Sequence, residues 1–571
     1  MDLFSKLGQP GAEPWLLQGW FPGQGLELAG AMAQGGALGL LRVPAFPREG
    51  ELEAWIEKAR GAGLDLKGLM DRFKEVVELA RQRGVPFIAH GADPAPELLE
   101  SLQDCGIPRL AFVQSADEAE RTAQKGAHAL VVESGPDLPE RLAEIHRRTG
   151  LPLLAEAGRD VEQAKNLLEI EGVAGLQLRS PALLHAGAAA EIPGFARLSE
   201  LPAHVLGEGA PKLPKLKIRN LEITYPIVQG GMGVGVSWER LAGAAARAGC
   251  VGIVSAIGTG NHYPEMVESR QGRPLGPHNL NNPEALARIL KEAIRLSEGK
   301  GAVGVNILCA IQGYEPVVRA SVAAGAKLII SGAGLPLSLP EYVGDADVAL
   351  VPIVSSARAL GLICKTWQRK FNRLPDAVVL EGPESGGHQG FSAEQCVDPA
   401  FALEALLGPV IEERNKWGNF PVIVAGGVWD RADIDRFLAL GAGGVQMATR
   451  FIGTLECDAA PAFKEVILRA EKEDIRLVKS PVGMPGRAVF SGLQKSIVEG
   501  QAPAIRCISD CVSPCAHGEG ARAVGYCIAD RLEDARSGKQ ETGLFFTGSN
   551  GYKLRELVSV RELVAELTQD F

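Results

Sequence analysis

The feature that most constrains this chain is a rhythm. Short apolar runs alternate with amphipathic stretches of helical period from about residue 15 to residue 455. Such alternation marks parallel strands covered by helices on both faces. In the second part of the chain eight strand candidates follow one another: Pro226–Gln229, Cys250–Ala256, Ala302–Leu308, Lys327–Ser331, Val348–Val354, Ala377–Leu380, Pro421–Ala425 and Gly444–Thr449. Eight βα units over this length predict an α/β fold closed as a (β/α)₈ barrel rather than an open sheet.

The first part repeats the second imperfectly. LLQGWFPGQGLELAGAMAQGGALGLL, from Leu16, parallels IVQGGMGVGVSWERLAGAAARAGCVGIV, from Ile227. RGVPFIAHG matches GAVGVNILC, and GAHALVVESG matches LPDAVVLEGPESGG. LPLLAEAGRDVEQAKNLLEIEGVAGLQLRS matches FPVIVAGGVWDRADIDRFLALGAGGVQMAT. The N-terminal copy is shorter between its third and sixth strands, which suggests one βα unit fewer. These patterns divide the chain into a degenerate barrel-like domain over 1–207, a Pro/Gly/Lys-rich linker over 208–216, a barrel over 217–457 and a helical, cysteine-bearing segment over 458–571.

Net charge is −10 and no long basic run occurs, which argues against nucleic-acid binding. The first residues, MDLFSKLGQPGAEPW, lack the basic and apolar regions of a secretory signal, and no apolar run reaches transmembrane length. A cytoplasmic location is therefore expected, where the ten cysteines are thiols or metal ligands rather than disulfides. Nothing points to a membrane or nucleic-acid partner. A small-molecule substrate is expected, and homo-oligomer formation stays open.

The strongest chemical signal is EGPESGGHQGF, Glu381 to Phe391, directly after a strand. Its glycines allow a sharp turn and close approach to a ligand at the C-terminal rim, where barrel active sites sit. His388 stands on this loop with Gly386 and Gly387 before it, and an imidazole suits proton transfer near neutral pH. A second signal is a pair of turns fit for a phosphate. AGGVWDRADI follows strand seven and MATRFIGT follows strand eight, so Ala425, Gly426 and Gly427 offer backbone N–H groups that Ala448 and Thr449 complete. The third is QGGMG, Gln229 to Gly233, where Gly230 and Gly231 let the backbone pass close to a flat ring and Met232 packs against it. Asn306 is a polar amide on an otherwise apolar strand, better placed to meet a ligand than to stay unpaired.

PIVQGGMG, GVNIL, SGAG, PDAVVLEGPESGGHQGF, AGGV and GVQMATRF together resemble the nitronate monooxygenase (2-nitropropane dioxygenase-like) family, in family order over about residues 217–455. The resemblance implies an FMN barrel, with Gly230, Met232, Asn306, Gly426, Gly427, Ala448 and Thr449 touching the flavin. We count Gly231, Glu381, Gly386, Gly387 and Ala425 with this cofactor set. It further implies that His388 abstracts the α-proton of a nitroalkane or lies beside the anionic nitronate. The same GGH loop is similar to that of flavin-type enoyl-acyl-carrier-protein reductases, which act on thioesters with NAD(P)H. In this chain Ala448 stands where the family usually has Gly. The N-terminal half and the cysteine tail lie outside the minimal family pattern.

The N-terminal copy keeps Gln18 and Gly19 but has no histidine after VVESG, one glycine in AEAGRD, and Arg179 and Ser180 where the other copy has Ala448 and Thr449. It is therefore read as lacking a flavin site. In the tail, Cys507, Cys511, Cys515 and Cys527 form C-x₃-C-x₃-C-x₁₁-C, able to enclose a [4Fe-4S] cluster or tetrahedral zinc. The absence of C-x₂-C knuckles favours iron–sulfur. The preferred expectation is FMN-dependent oxidation of a nitronate-like carbon acid, with NAD(P)H- or Fe–S-linked reduction of an enoyl thioester or activated alkene as the alternative. A non-catalytic assembly role is the third reading, and the intact GGH loop argues against it.

Overall fold

The computed structural model describes residues 15–20, 38–47, 50–103, 105–133, 137–157, 161–178, 212–270, 272–505, 507–515 and 519–568. The chain falls into two compact units, one within Met1–Lys212 and one over Leu213–Thr568.

The N-terminal unit contains β1 (Trp15–Trp20), β2 (Leu38–Arg42), β3 (Gly63–Asp65), β4 (Ile88–Gly91), β5 (Arg109–Val113), β6 (Ala129–Val132), β7 (Leu153–Ala157) and β8 (Val173–Leu178). All pair in parallel, and β8 closes on β1, so this unit is a full eight-stranded barrel. The expected loss of one βα unit is thus corrected. The strands between the third and sixth positions are present but only three to five residues long. Leu38, Leu40, Phe87, Leu110, Val131 and Leu154 pack in one buried cluster. At the strand ends polar groups engage one another. Asp65 accepts from Arg42 Nε at 3.1 Å and from the Lys67 amide at 2.9 Å, and Lys67 Nζ reaches Glu133 at 3.0 Å. Arg179, Ser180, residues 158–160 and the start of the expected linker, 208–211, lie outside the described residues.

The second unit opens with an antiparallel hairpin, β9 (Leu216–Ile218) and β10 (Leu221–Ile223). Its apolar residues Leu216, Ile218 and Ile223 join the interior cluster of the second barrel, beside Val228, Ile253, Ile330, Val379 and Ile423. That barrel comprises β11 (Ile227–Gln229), β12 (Val251–Ser255), β15 (Ala302–Leu308), β16 (Leu328–Gly332), β17 (Ala349–Val354), β18 (Val378–Glu381), β20 (Val422–Ala425) and β21 (Gly444–Met447). Two short pieces, β13 (Ser269–Arg270) and β14 (Arg273–Pro274), form a separate ribbon, and β19 (Gly387–His388) lies outside the barrel. Each of the eight strands expected here is present. The last stops at Met447 instead of Thr449, because Ala448 caps a short helix, Thr449–Ile452.

The βα loops end in side-chain caps that satisfy orphan helix amides. Asn282 accepts from the Ala285 amide, Ser356 from Ala359 and Asp430 from Asp433, starting helices Pro283–Leu296, Ala357–Phe371 and Arg431–Ala439.

Beyond residue 457 the chain carries helices, among them Pro461–Arg469, Ile528–Arg536 and Val560–Thr568, but also β22 (Ile475–Val478) and β23 (Gly486–Val489). These two strands and β19 make a three-stranded antiparallel sheet. The segment belongs to the same compact unit as the barrel. Its first residue already binds there: the Asp458 carboxylate accepts from the amides of Trp238, Arg240 and Leu241, at the start of helix Glu239–Arg247.

Helix and strand touch most closely at Gly252, where an added Cβ would stand 1.8 Å from the carbonyl oxygen of Ala242. Backbone cannot yield there without moving the helix. A Gly252→Ala variant is expected to lose about 2 kcal/mol or more of stability, read as a lower urea midpoint. An unchanged midpoint would show that the helix shifts freely.

Candidate active site

The C-terminal ends of the second barrel's strands surround a cavity of about 460 Å³, within the range of cofactor-sized sites. Gly230, Gly231, Met232, Asn306, Glu381, Gly386, Gly387, His388, Ala425, Gly426, Gly427, Ala448 and Thr449 all line it. The structure therefore gathers every catalytic and cofactor residue expected from sequence into one place.

Each loop reaches the cavity for a local reason. At the end of β11, Gln229 is buried and bridges two strands, donating to the Gly230 carbonyl and accepting from the Ile253 amide at 3.0 Å. This leaves Gly230 and Gly231 at the wall. A Cβ on Gly231 would stand 2.4 Å from Asn306 Cβ, so the glycine lets the two strand ends meet. Gly426 and Gly427 have φ of 96° and 81°, the left-handed region open chiefly to glycine. Gly386 answers a different demand, since an added Cβ would lie 2.6 Å from the Thr547 carbonyl carbon.

His388 sits on β19, paired with Gly486 of β23. Its Nε2 is 2.7 Å from Ser480 Oγ, and its ring meets Phe546 edge-on at 5.3 Å. Burial pulls the imidazole down to about 4, so it is neutral at pH 7. Glu381, at the end of β18, moves the other way. Burial pushes its carboxyl up to about 7, with a hydrogen bond to Ser385 partly opposing the shift. Both changes follow from the cost of charge away from water.

The C-terminal segment supplies much of the wall that the sequence pattern did not reveal. Val482, Met484, Ile528, Leu532, Leu544 and Phe546 give it an apolar side, and Thr547 to Asn550 a polar one. The Gly548 amide donates to Thr449 Oγ1 at 2.9 Å, and Asn550 Nδ2 donates to the Gly427 carbonyl at 2.8 Å. FTGSNGY, Phe546 to Tyr552, is the one small-residue, polar turn in this part of the tail that resembles the barrel's own ligand loops, and that composition was the available signal.

Three buried polar atoms on the wall, Gln446 Oε1, Thr547 Oγ1 and Ser549 Oγ, have no partner among the described residues. Unsatisfied buried groups are costly, and these three belong to residues of one cavity wall. The donors and acceptors present, with the glycine turns, fit a flavin mononucleotide.

Of the four tail cysteines, Cys511 lines the same cavity. Cys511, Cys515 and Cys527 are buried and Cys507 half-buried, and all four are free thiols. Burial pushes the Cys511 thiol up to about 12, and the nearby thiols of Cys527, Cys507 and Cys515 add to that shift. Among the described residues no three His, Cys, Asp or Glu side chains are arranged to hold a metal ion.

The family pattern described as nitronate monooxygenase matches residues 215–570. The chain belongs to this family. A nitronate monooxygenase of Pseudomonas aeruginosa is 29% identical over 293 residues, covering 48% of this chain and 80% of the relative. A probable nitronate monooxygenase of Bacillus subtilis is 25% identical over 289 residues, 48% of this chain and 79% of that one. A hydroxy-methyl-oxo-octahydroindene carboxyl-CoA dehydrogenase of Rhodococcus jostii is 27% identical over 276 residues, 48% of this chain and 65% of that protein. Among solved structures, FabK from Thermotoga maritima aligns at 24% identity and a TM-score of 0.46, over 61% of this chain and 93% of that one. Membership makes the chain an oxidoreductase with a (β/α)₈ barrel. No helix among the described residues is long and apolar enough to cross a membrane.

In this nitronate monooxygenase family member, the raised Glu381 carboxyl has a stability consequence. Its folded-state value, about 7, lies above its ordinary 4.5, so the folded chain binds the proton more tightly than the unfolded one. The contribution is full below about pH 4.5 and is lost as pH rises through 7. Asp458, pushed up to about 6 chiefly by burial, acts in the same direction. Thermal midpoints should therefore fall between pH 5 and pH 8. A Glu381→Gln variant should lose part of that decline, a difference of a few °C by scanning calorimetry. Parallel pH curves for the two proteins would refute the assignment.

Proposed function

We propose that the chain is an FMN-dependent oxidoreductase that oxidises a nitronate or a similar carbon acid, with His388 handling the proton. The observation that carries this reading is a half-buried imidazole, held well below its ordinary value by desolvation, on the wall of a cavity that also carries glycine turns and residues with unpartnered polar atoms. The nitronate monooxygenase family is flavin-dependent. FMN would be held by the turns at Gly426–Gly427 and Ala448–Thr449 and by the ring-side residues Gly230, Gly231, Met232 and Asn306. When bound, it supplies the two-electron acceptor.

The protein's own part is proton and charge management. Neutral His388 can accept a proton from an acidic C–H group. An isolated imidazolium is costly at this buried position, but proton transfer creates the nitronate anion beside it, and the resulting ion pair offsets that cost. Ser480 engages Nε2 and thereby orients the ring. The apolar wall from the tail excludes water, which strengthens each of these interactions.

One observation favours a second reading. Val482, Met484, Ile528, Leu532 and Leu544 line more apolar surface than a small nitroalkane needs, and a longer acyl group would fill it. That suits reduction of an enoyl thioester or activated alkene with NAD(P)H. Bleaching of the flavin by an alkyl nitronate without oxygen supports the first reading. Bleaching by NAD(P)H alone, with none by nitronate, supports the second.

A His388→Ala variant should keep its FMN and lose about 10²-fold or more in the rate of flavin reduction by a neutral nitroalkane. Full activity with FMN retained would remove His388 from its role. For the cradle, Gly427→Ala forces a residue with φ of 81° to carry a Cβ that meets Glu384 Oε2. We expect FMN affinity to fall at least about tenfold, measured by quenching of flavin fluorescence on titration.

A further inference from the structure

We propose, resting on the reading of His388 as the proton-handling group, that Tyr526 is a positioning residue for it. Acting through Ser480, Tyr526 keeps the ring proton on Nε2 and leaves Nδ1 as the base that faces the cavity.

Three polar groups run in line from the imidazole. His388 Nε2 is 2.7 Å from Ser480 Oγ. Ser480 is hydrogen-bonded in turn to the Tyr526 phenol, and the phenol donates to the Lys479 carbonyl at 2.6 Å. Ser480 and Tyr526 are only 5% and 3% exposed, so water does not compete for these bonds. The frame around them is fixed. The Gly483 amide donates to the Ser480 carbonyl at 3.1 Å, and the Val482 amide to Ser480 Oγ at 3.4 Å. The tyrosine packs with Ala488, Leu493, Ile528 and Leu544, and Phe546, which meets the His388 ring edge-on, lies against the same cluster.

The protons available set the direction of every bond in this line. A phenol carries one proton, and that of Tyr526 goes to the Lys479 carbonyl, which can only accept. The phenol oxygen must therefore accept from Ser480, which uses the single hydroxyl proton of the serine. The two lone pairs of Ser480 Oγ then take the Val482 amide and His388 Nε2, so Nε2 carries an N–H. Desolvation holds the imidazole well below its ordinary value, so at neutral pH it has one ring proton. With that proton on Nε2, Nδ1 is a bare lone pair. Nδ1 has no hydrogen bond among the described residues and is not one of their sealed, unpartnered atoms, so it opens on the cavity that His388 lines.

In the opposite tautomer Nδ1 would meet a ligand as a donor, unable to take a proton from carbon. With the line intact, C–H cleavage sends the proton to Nδ1 and leaves the electron pair on the substrate as the nitronate. Nε2–H donates to Ser480 before and after the transfer, so no group in the line has to turn as charge forms. Removing the Tyr526 hydroxyl frees the Ser480 proton, which then swings to Nε2 and drives the ring into the other tautomer.

The test is nitrogen NMR of the full, FMN-loaded chain carrying isotope-labelled histidine at neutral pH, with the His388 signals assigned by their loss in His388→Ala. In the wild type Nε2 should be protonated and Nδ1 unprotonated. Tyr526→Phe should shift the balance toward Nδ1–H, whereas Ser480→Thr, which keeps a hydroxyl, should retain the wild-type tautomer. Flavin reduction by a neutral nitroalkane should slow about tenfold or more in Tyr526→Phe, while reduction by the preformed nitronate, which has no proton to lose, changes less than about twofold. A wild type with Nδ1 protonated would overturn the proposal, as would an FMN-loaded Tyr526→Phe protein with an unchanged tautomer. If Tyr526→Phe does not fold, the wild-type tautomer decides. The tautomer is read without substrate, so it stands or falls apart from the nitronate reading, which fails if no nitroalkane or nitronate reduces the flavin.

Discussion

A (β/α)₈ barrel leaves its functional mouth open to water, and here a two-residue strand governs how that mouth is closed. Gly387 and His388 pair with Arg487 and Gly486, and the Gln389 amide continues the contact to the Pro485 carbonyl at 2.8 Å. A bridge between Ala488 and Phe546 then sets the phenyl ring against His388. The histidine loop, built from glycines, has little conformational preference of its own, so its shape is imposed by the segment it pairs with. Desolvation lowers the pKa of the imidazole held in this place. Chemistry placed by the barrel is tuned by residues a hundred positions later in the chain.

The described rims of the two barrels differ in how their polar groups are met. In the first, the polar side chains at the strand ends largely answer each other: Arg42 with Asp65, Lys67 with Glu133, and Gln114 with Glu133 at 2.6 Å. In the second, the corresponding rim is made of glycines, a carboxamide at Asn306 and unpartnered oxygens at Gln446, Thr547 and Ser549. Among the described residues of the first rim, Gln177 Oε1 has no partner. The second leaves polar atoms whose desolvation only a ligand or water can offset.

Much of the barrel and its rim was legible because both are written in local signals. Val/Ile runs buried on both faces mark the strands, and glycines at 230–231, 386–387 and 426–427 mark the turns that follow them. The register of the last strand was not legible beyond Met447, since Ala448 and Thr449 are as compatible with a strand as with a helix start. The N-terminal barrel was read one unit short because Gly63–Asp65 is three residues long, too brief to show any period. The roof was illegible for a deeper reason. β19 contributes two residues, β23 four, and their pairing spans about a hundred positions, so no window of sequence contains both partners. FTGSNGY alone could have pointed to it, by composition rather than periodicity.

Two ionisable groups of the cavity wall, His388 and Glu381, respond to burial in opposite directions, and burial favours the neutral form of each. His388 is held below the pH at which it would become a cation, and Glu381 is held near the pH at which it would become an anion. An anionic ligand entering such a site meets no fixed cation on His388 and little opposing charge from Glu381. Its binding must then rest on oriented dipoles: the amides of the glycine turns and the hydroxyls of Thr449, Thr547 and Ser549. Dipoles held by a rigid frame need no reorganisation when charge appears on the substrate, and in a dry cavity they act over a low dielectric. Such dipoles can stabilise a charge that forms during reaction as well as one that is already present. Under the reading proposed above, the same dipoles would serve a substrate that enters neutral and becomes anionic inside.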